Sequence, residues 1–129
     1  MVDYARGSIR ISCGSTPHHL TLSTDDMQTP EGMRYKVNPP IRDRSSMVRL
    51  EQLLRAGKID WIETDHAPHL KEEKTYDQSR QPGFYMSGIR SLENYASFID
   101  SLSERGYPDE LITNITYTNI KKVFTMVTE

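Results

Sequence analysis

A chain of 129 residues has room for one domain with a modest core. Hydrophobic residues at 36% and charged residues at 26% suit a folded, water-facing chain rather than a disordered one. A net charge of -2, with the Lys and Arg scattered, argues against a nucleic-acid surface, and no apolar run approaches the ~20 residues of a membrane span. Residues 1–7 lack the apolar centre of a signal peptide. Cys13 is the only cysteine, so no internal disulfide can form and a reducing cytoplasm is expected.

Taken in chain order, Val2 to Arg6 reads as the last turn of a helix stopped by Gly7. Ile9 to Cys13 alternates apolar and polar residues and predicts a strand. Thr16-Pro17-His18-His19-Leu20 breaks that pattern, and Ser23 to Asp26 suits a capped turn. Three prolines and a glycine between Thr29 and Pro40 predict a long irregular loop. Met47, Leu50, Leu53 and Leu54 form one face of a helix that starts near Asp43 or Ser45 and ends at Gly57. Ile59 to Ile62 is a second strand, followed by a polar loop from about Pro68 to Tyr85. Ile89, Leu92, Tyr95, Ala96, Ile99 and Leu102 recur at helical spacing, and Gly106-Tyr107-Pro108 stops them. Asp109 caps a short helix through Leu111 and Ile112, and a last one carries Ile120, Val123, Phe124 and Val127 after a cap at Thr116. Strand, crossover helix and strand predict two parallel neighbours. Two such strands cannot cover both faces of a parallel sheet, so the chain reads as a slice of a larger α/β barrel.

All four histidines fall in the two loops after these strands, His18 and His19 after the first, His66 and His69 after the second. Parallel strands open both loops on the same end of the sheet. An Asp at a strand end, followed by a His-Ala-Pro turn, is rigidly placed at the mouth of a barrel, where such folds keep their chemistry. A carboxylate there can ligate a divalent metal, take a proton from bound water and pass it to a leaving group. The plainer alternative is that Asp65 only caps the turn after the strand.

The run Thr64-Asp65-His66-Ala67-Pro68-His69, with Glu72-Glu73-Lys74 behind it, resembles the strand-8 signature of dihydroorotases, metal-dependent cyclic amidohydrolases. Thr16-Pro17-His18-His19-Leu20 is similar to the family's segment after strand 7. Lys36-Val37-Asn38-Pro39-Pro40-Ile41-Arg42 is similar to the next loop, and Pro82-Gly83-Phe84 to the loop that closes on substrate. The resemblance implies a C-terminal slice of a TIM-like (β/α)8 barrel, strands 7 and 8 with their loops and helices, as one partial domain over 1–129. It implies reversible opening of the dihydroorotate ring to N-carbamoyl-L-aspartate in pyrimidine biosynthesis. Asp65 would be metal ligand and general base and acid. His69 would hold the substrate carboxylate, Asn38 would contact the same group or the ring, and the backbone at Pro82 and Gly83 would bond the substrate amide. His18 and His19 would brace loops. The cofactor implied is Zn2+, one or two ions with most ligands outside this chain. The partners implied are the small-molecule substrate, the missing N-terminal barrel portion, and a second copy or a carbamoyltransferase.

The match departs from the family at Gly14-Ser15, where an acidic and an apolar residue are usual, and after Phe84, where Tyr85 to Glu93 replaces a quicker run into Pro-Gly-Leu-Glu. A whole barrel takes about 250 residues, and a catalytic zinc needs about three protein ligands. The isolated chain is therefore expected to be inactive. Allantoinases and hydantoinases share the fold and the Asp but need not carry the second His. A non-catalytic subunit that keeps this piece to contact a partner is the reading from another class.

Overall fold

The computed structural model describes residues 11–75 and 85–125. The expectations for Val2 to Arg6, for Ile9 and Arg10, and for Pro82 and Gly83 lie outside them. Two short parallel strands, β1 (Gly14–Ser15) and β2 (Trp61–Ile62), pair with Gly14 opposite Trp61 and Ser15 opposite Ile62. The ladder runs one residue further at each end, since Asp60 N donates to the Cys13 carbonyl (2.8 Å) and Glu63 N to the Ser15 carbonyl (2.9 Å). The first strand thus sits later than its alternation suggests. Cys13 N donates instead to the Asp60 carboxylate at 2.8 Å, a side-chain partner that substitutes for a longer ladder.

Between the strands run α1 (Pro17–Thr21), a 3-10 turn at Gly32–Tyr35 and α2 (Arg44–Arg55). The expected break at Thr16–Leu20 is instead a helical turn. Proline is tolerated there because it occupies the first helical position, where its missing N–H is not needed, and the Thr16 hydroxyl caps it by accepting from His19 N. Asp43 caps α2 through a 2.7 Å bond from Ser46 N, a contact worth about 1 kcal/mol. Gly57 takes φ 64, and Lys58 N then reaches back to the Leu53 carbonyl at 2.9 Å and closes the helix end.

After β2, the polar loop contains one helical turn, α3 (Lys71–Lys74), followed by α4 (Leu92–Glu104) and α5 (Asp109–Thr113). A wide π turn at Asn114–Thr118 runs straight into α6 (Asn119–Thr125). The last helices are therefore one continuous run. Thr116 is inside it, its hydroxyl donating to the Ile112 carbonyl at 2.7 Å, and is no cap. Leu20, Leu54, Ile59, Ile62, Phe98, Leu102, Tyr107 and Ile115 form the core, with Leu102 and Ile115 wholly removed from solvent. Tyr95 Oη donates to the Ile62 carbonyl at 2.9 Å and Asn119 Nδ2 to the Asp60 carbonyl at 2.9 Å, so α4 and α6 are pinned to β2 itself.

The helices cover the face of the sheet that carries Ser15 and Ile62, both buried, while Gly14 on the other face is exposed and Trp61 half-buried. A Cβ on Gly14 would lie 2.4 Å from the Trp61 indole nitrogen. The glycine that departs from the family pattern is thus the space the indole occupies. Gly14→Ala should displace the ring and destabilise the chain by about 1–3 kcal/mol. Trp61 is the only tryptophan, so its emission should shift, and adding Trp61→Phe should recover part of the loss in urea melts. An unchanged emission and midpoint in Gly14→Ala would show the contact to be slack.

Candidate active-site rim at the strand tips

Because β1 and β2 are parallel, the chain leaves both on the same side. His18 and Asp65 each follow the Ser15–Ile62 pair by three residues, and Asp65 is near enough for its charge to act on the His18 ring. Asp65 adopts φ 45, the left-handed region. Among non-glycine residues Asp tolerates it better than most, yet it is a conformation that surrounding contacts must hold. Those contacts come from one segment, residues 89–92. Ser91 Oγ donates to the Thr64 carbonyl, Ala67 N donates to the Ile89 carbonyl at 3.0 Å, and Leu92 N donates to His66 Nδ1 at 3.0 Å. The backbone is clamped on both sides of Asp65. Its own side chain is exposed rather than buried, with no hydrogen bond among the described residues.

His19 ties the first loop to the Asn38 loop. Its Nε2 lies 2.9 Å from the Pro39 carbonyl, which can only accept, so Nε2 carries the proton and Nδ1 accepts from the Thr16 hydroxyl at 2.7 Å. Asn38, joined to Pro39 by a cis peptide, is exposed between the buried anchors Val37 and Ile41.

His69 is engaged with protein. Its Nε2 donates to the Ser87 carbonyl at 3.1 Å and its Nδ1 lies 3.6 Å from the Glu73 carboxylate, which also accepts from Leu70 N. A substrate carboxylate would meet this ring only at Nδ1 or by displacing Ser87. His69 lines a cleft of about 1110 Å³ together with Arg34, Lys71, Lys74 and Arg90, on which neither Asp65 nor Asn38 lies.

His18 is the opposite case. It is 4% exposed, and neither ring nitrogen has a hydrogen-bond partner among the described residues. Burial above all, then the adjacent His19 and further off Lys74, push its pKa down to about 4, against the pull of Asp65. The ring is neutral at pH 7. Lys74, missed as a functional candidate by itself, is also buried, and desolvation and the Lys36 ammonium bring it down to about 8.

Among the described residues no three His, Cys, Asp or Glu side chains group to hold a metal ion. Asp65 offers one carboxylate, so these residues alone do not make a zinc site. No helix among them is long and apolar enough to cross a membrane.

An unfolded chain protonates His18 near pH 6.5 whereas the fold refuses the proton until about pH 4. Stability is therefore fully present above pH 6.5 and is lost as pH falls through that window, by roughly 3 kcal/mol at most. His18→Leu should flatten this slope in urea melts at pH 7 and pH 4.5. A slope equal to that of the parent chain would show the ring to be protonated or solvated in the fold.

No family model matches the chain. Its sequence is 44% identical over 91 residues to the dihydroorotase of Bacillus licheniformis and 40% identical over 91 residues to that of Brevibacillus brevis, in each case 70% of this chain and 20% of the relative. It is 48% identical over 66 residues to the dihydroorotase of Lactobacillus delbrueckii subsp. bulgaricus, 51% of this chain and 15% of that one. Among solved structures, the D-hydantoinase of Thermus sp. superposes with a TM-score of 0.77 at 21% identity over 95% of this chain and 28% of its own. The L-hydantoinase of Arthrobacter aurescens does so with 0.74 at 26% identity over 95% and 27%. The expected α/β fold is thus shared with these hydantoinases, of which the chain spans little more than a quarter. By sequence this chain is a homologue of the dihydroorotases over a stretch equal to about one fifth of their length, and its fold is that of the corresponding part of the hydantoinases.

Proposed function

We propose that this chain is the strand 7 and strand 8 portion of a dihydroorotase, a cyclic amide hydrolase that opens dihydroorotate to N-carbamoyl-L-aspartate and closes it again. The observation that carries the reading is Asp65, an exposed carboxylate at a parallel strand tip, held in a left-handed conformation by clamps from residues 89–92. A solvent-facing carboxylate on a clamped backbone at the strand tip is suited to carry a proton between an attacking water and a departing ring nitrogen. Asn38 and His69 are the groups on this chain for the substrate's carboxylate or ring. Pro82 and Gly83, outside the described residues, complete the set assigned from sequence.

Zn2+ would be held with Asp65 as one ligand and the others from outside the described residues. When bound it would supply an acidified water. The remaining barrel is the first partner this reading requires, and a second copy or a carbamoyltransferase would dock on the finished barrel. A cytoplasmic location is part of the same proposal. A hydantoinase-like activity is the second reading, favoured by the structural neighbours.

The purified chain with added zinc should show no turnover of dihydroorotate. Substituted for the matching segment of the Bacillus licheniformis dihydroorotase, it should give a zinc-binding protein that hydrolyses dihydroorotate. In that protein Asp65→Asn should lower kcat at least about 10³-fold with KM little changed. Turnover of hydantoin in preference to dihydroorotate would establish the second reading. Full activity in Asp65→Asn would remove the carboxylate from the mechanism, and zinc binding without turnover of either substrate would favour a non-catalytic subunit.

A further inference from the structure

We propose that Lys74 is a positioning residue for the substrate-facing loops: its buried ammonium fixes the main chain of residues 85–88 against the loop that carries Asn38. The clamp is a matter of geometry, and its link to substrate rests on the function proposed above.

Lys74 ends α3 and is 9% exposed. A buried ammonium requires compensation, and here it comes from two main-chain carbonyls rather than a carboxylate. Nζ donates to Lys36 O at 3.0 Å and to Gly88 O. The Lys36 carbonyl accepts a second bond, from Gly88 N at 2.9 Å. Lys36 Nζ in turn donates to the Tyr85 carbonyl. Met86 N donates to the Glu73 carbonyl at 3.2 Å, and the Ser87 carbonyl accepts from His69. Every residue from Tyr85 to Gly88 is therefore bonded through its backbone, and the partners are Lys36, His69, Glu73 and Lys74.

Gly88 shows how close the approach is. A Cβ there would stand 2.6 Å from both the Cβ and the carbonyl oxygen of Ala67, inside the Asp65–His69 loop. One nitrogen thus joins residue 36, at the head of the Asn38 loop, to residue 88, which packs on Ala67 of the Asp65–His69 loop. Lysine suits this point because an ammonium presents three donors from a single atom at the end of a long stem. Methionine would fill the same volume with no donor. Glutamine keeps donors in a plane and lacks the charge.

The test is amide hydrogen exchange on the full 129-residue chain. In Lys74→Met the amides of Met86 and Gly88 should exchange at least tenfold faster, while those of Asp60 and Glu63, which bond across the strand pair, stay within twofold. Lys74→Gln should retain most of the protection at Gly88. Acceleration spread equally over both sets would make Lys74 an ordinary core residue, and no acceleration at Gly88 would dispose of the clamp. Should Lys74→Met fail to fold, loss of Gly88 protection in Lys74→Gln decides against hydrogen bonding as the cause. In the restored dihydroorotase, Lys74→Met should raise KM about tenfold with kcat within threefold, and Lys74→Gln should recover most of that loss. A fall in kcat at constant KM overturns the link to substrate positioning. If the restored parent turns nothing over, the dihydroorotase reading falls, and the exchange data still decide the clamp.

Discussion

The parallel pairing of Gly14–Ser15 with Trp61–Ile62 is the constraint from which the rest follows. It brings two segments 47 residues apart into register and sends both of the following loops to one side. Had the strands been antiparallel, His18 and Asp65 would stand at opposite ends of the sheet. Four residues make a thin ladder, and side chains reinforce it: Asp60 receives Cys13 N, Tyr95 reaches the Ile62 carbonyl, and Asn119 reaches the Asp60 carbonyl. Helices α4 and α6 thus hold β2 by hydrogen bonds as well as by packing.

Around this pair the structure separates two kinds of polar group. Asp65 is exposed, strained in its backbone, and surrounded by clamps that do not touch its carboxylate. His18 is buried near it and Lys74 is buried too; among the described residues the first has no hydrogen-bond partner and the second is bonded to carbonyls. Their burial lowers both pKa values and keeps the imidazole neutral at physiological pH, so no formal charge from the ring competes with the carboxylate. The exposed carboxylate and the buried scaffolding groups are thus different residues.

Much of this was legible in the residues. The α2 helix follows from its apolar stripe, the Asp43 cap and Gly57, all local features. Asp65 was found because a motif at a strand end carries chemical meaning without tertiary information. What sequence could not give were features set by distant partners. The first strand was displaced because the Cys13 amide is satisfied by a side chain of the other strand. The Thr116 cap failed because a π turn lets the helix continue, and an extra residue in a turn leaves no mark in periodicity. His69 looked free in sequence and is held by Ser87, eighteen positions on. Lys74 looked like one more charge on a polar loop, since nothing in a string of letters tells that its ammonium is enclosed.

The bonds that fasten residues 85–88 all read peptide groups. Side-chain identity is consulted at Gly88, where there is no room for a carbon, and at Tyr85, whose ring is buried. Met86 and Ser87, both exposed, are thereby released from spelling out their own placement. The wording of such a segment is free at these two positions as long as the two lysines, the glycine and the buried tyrosine that hold the page remain.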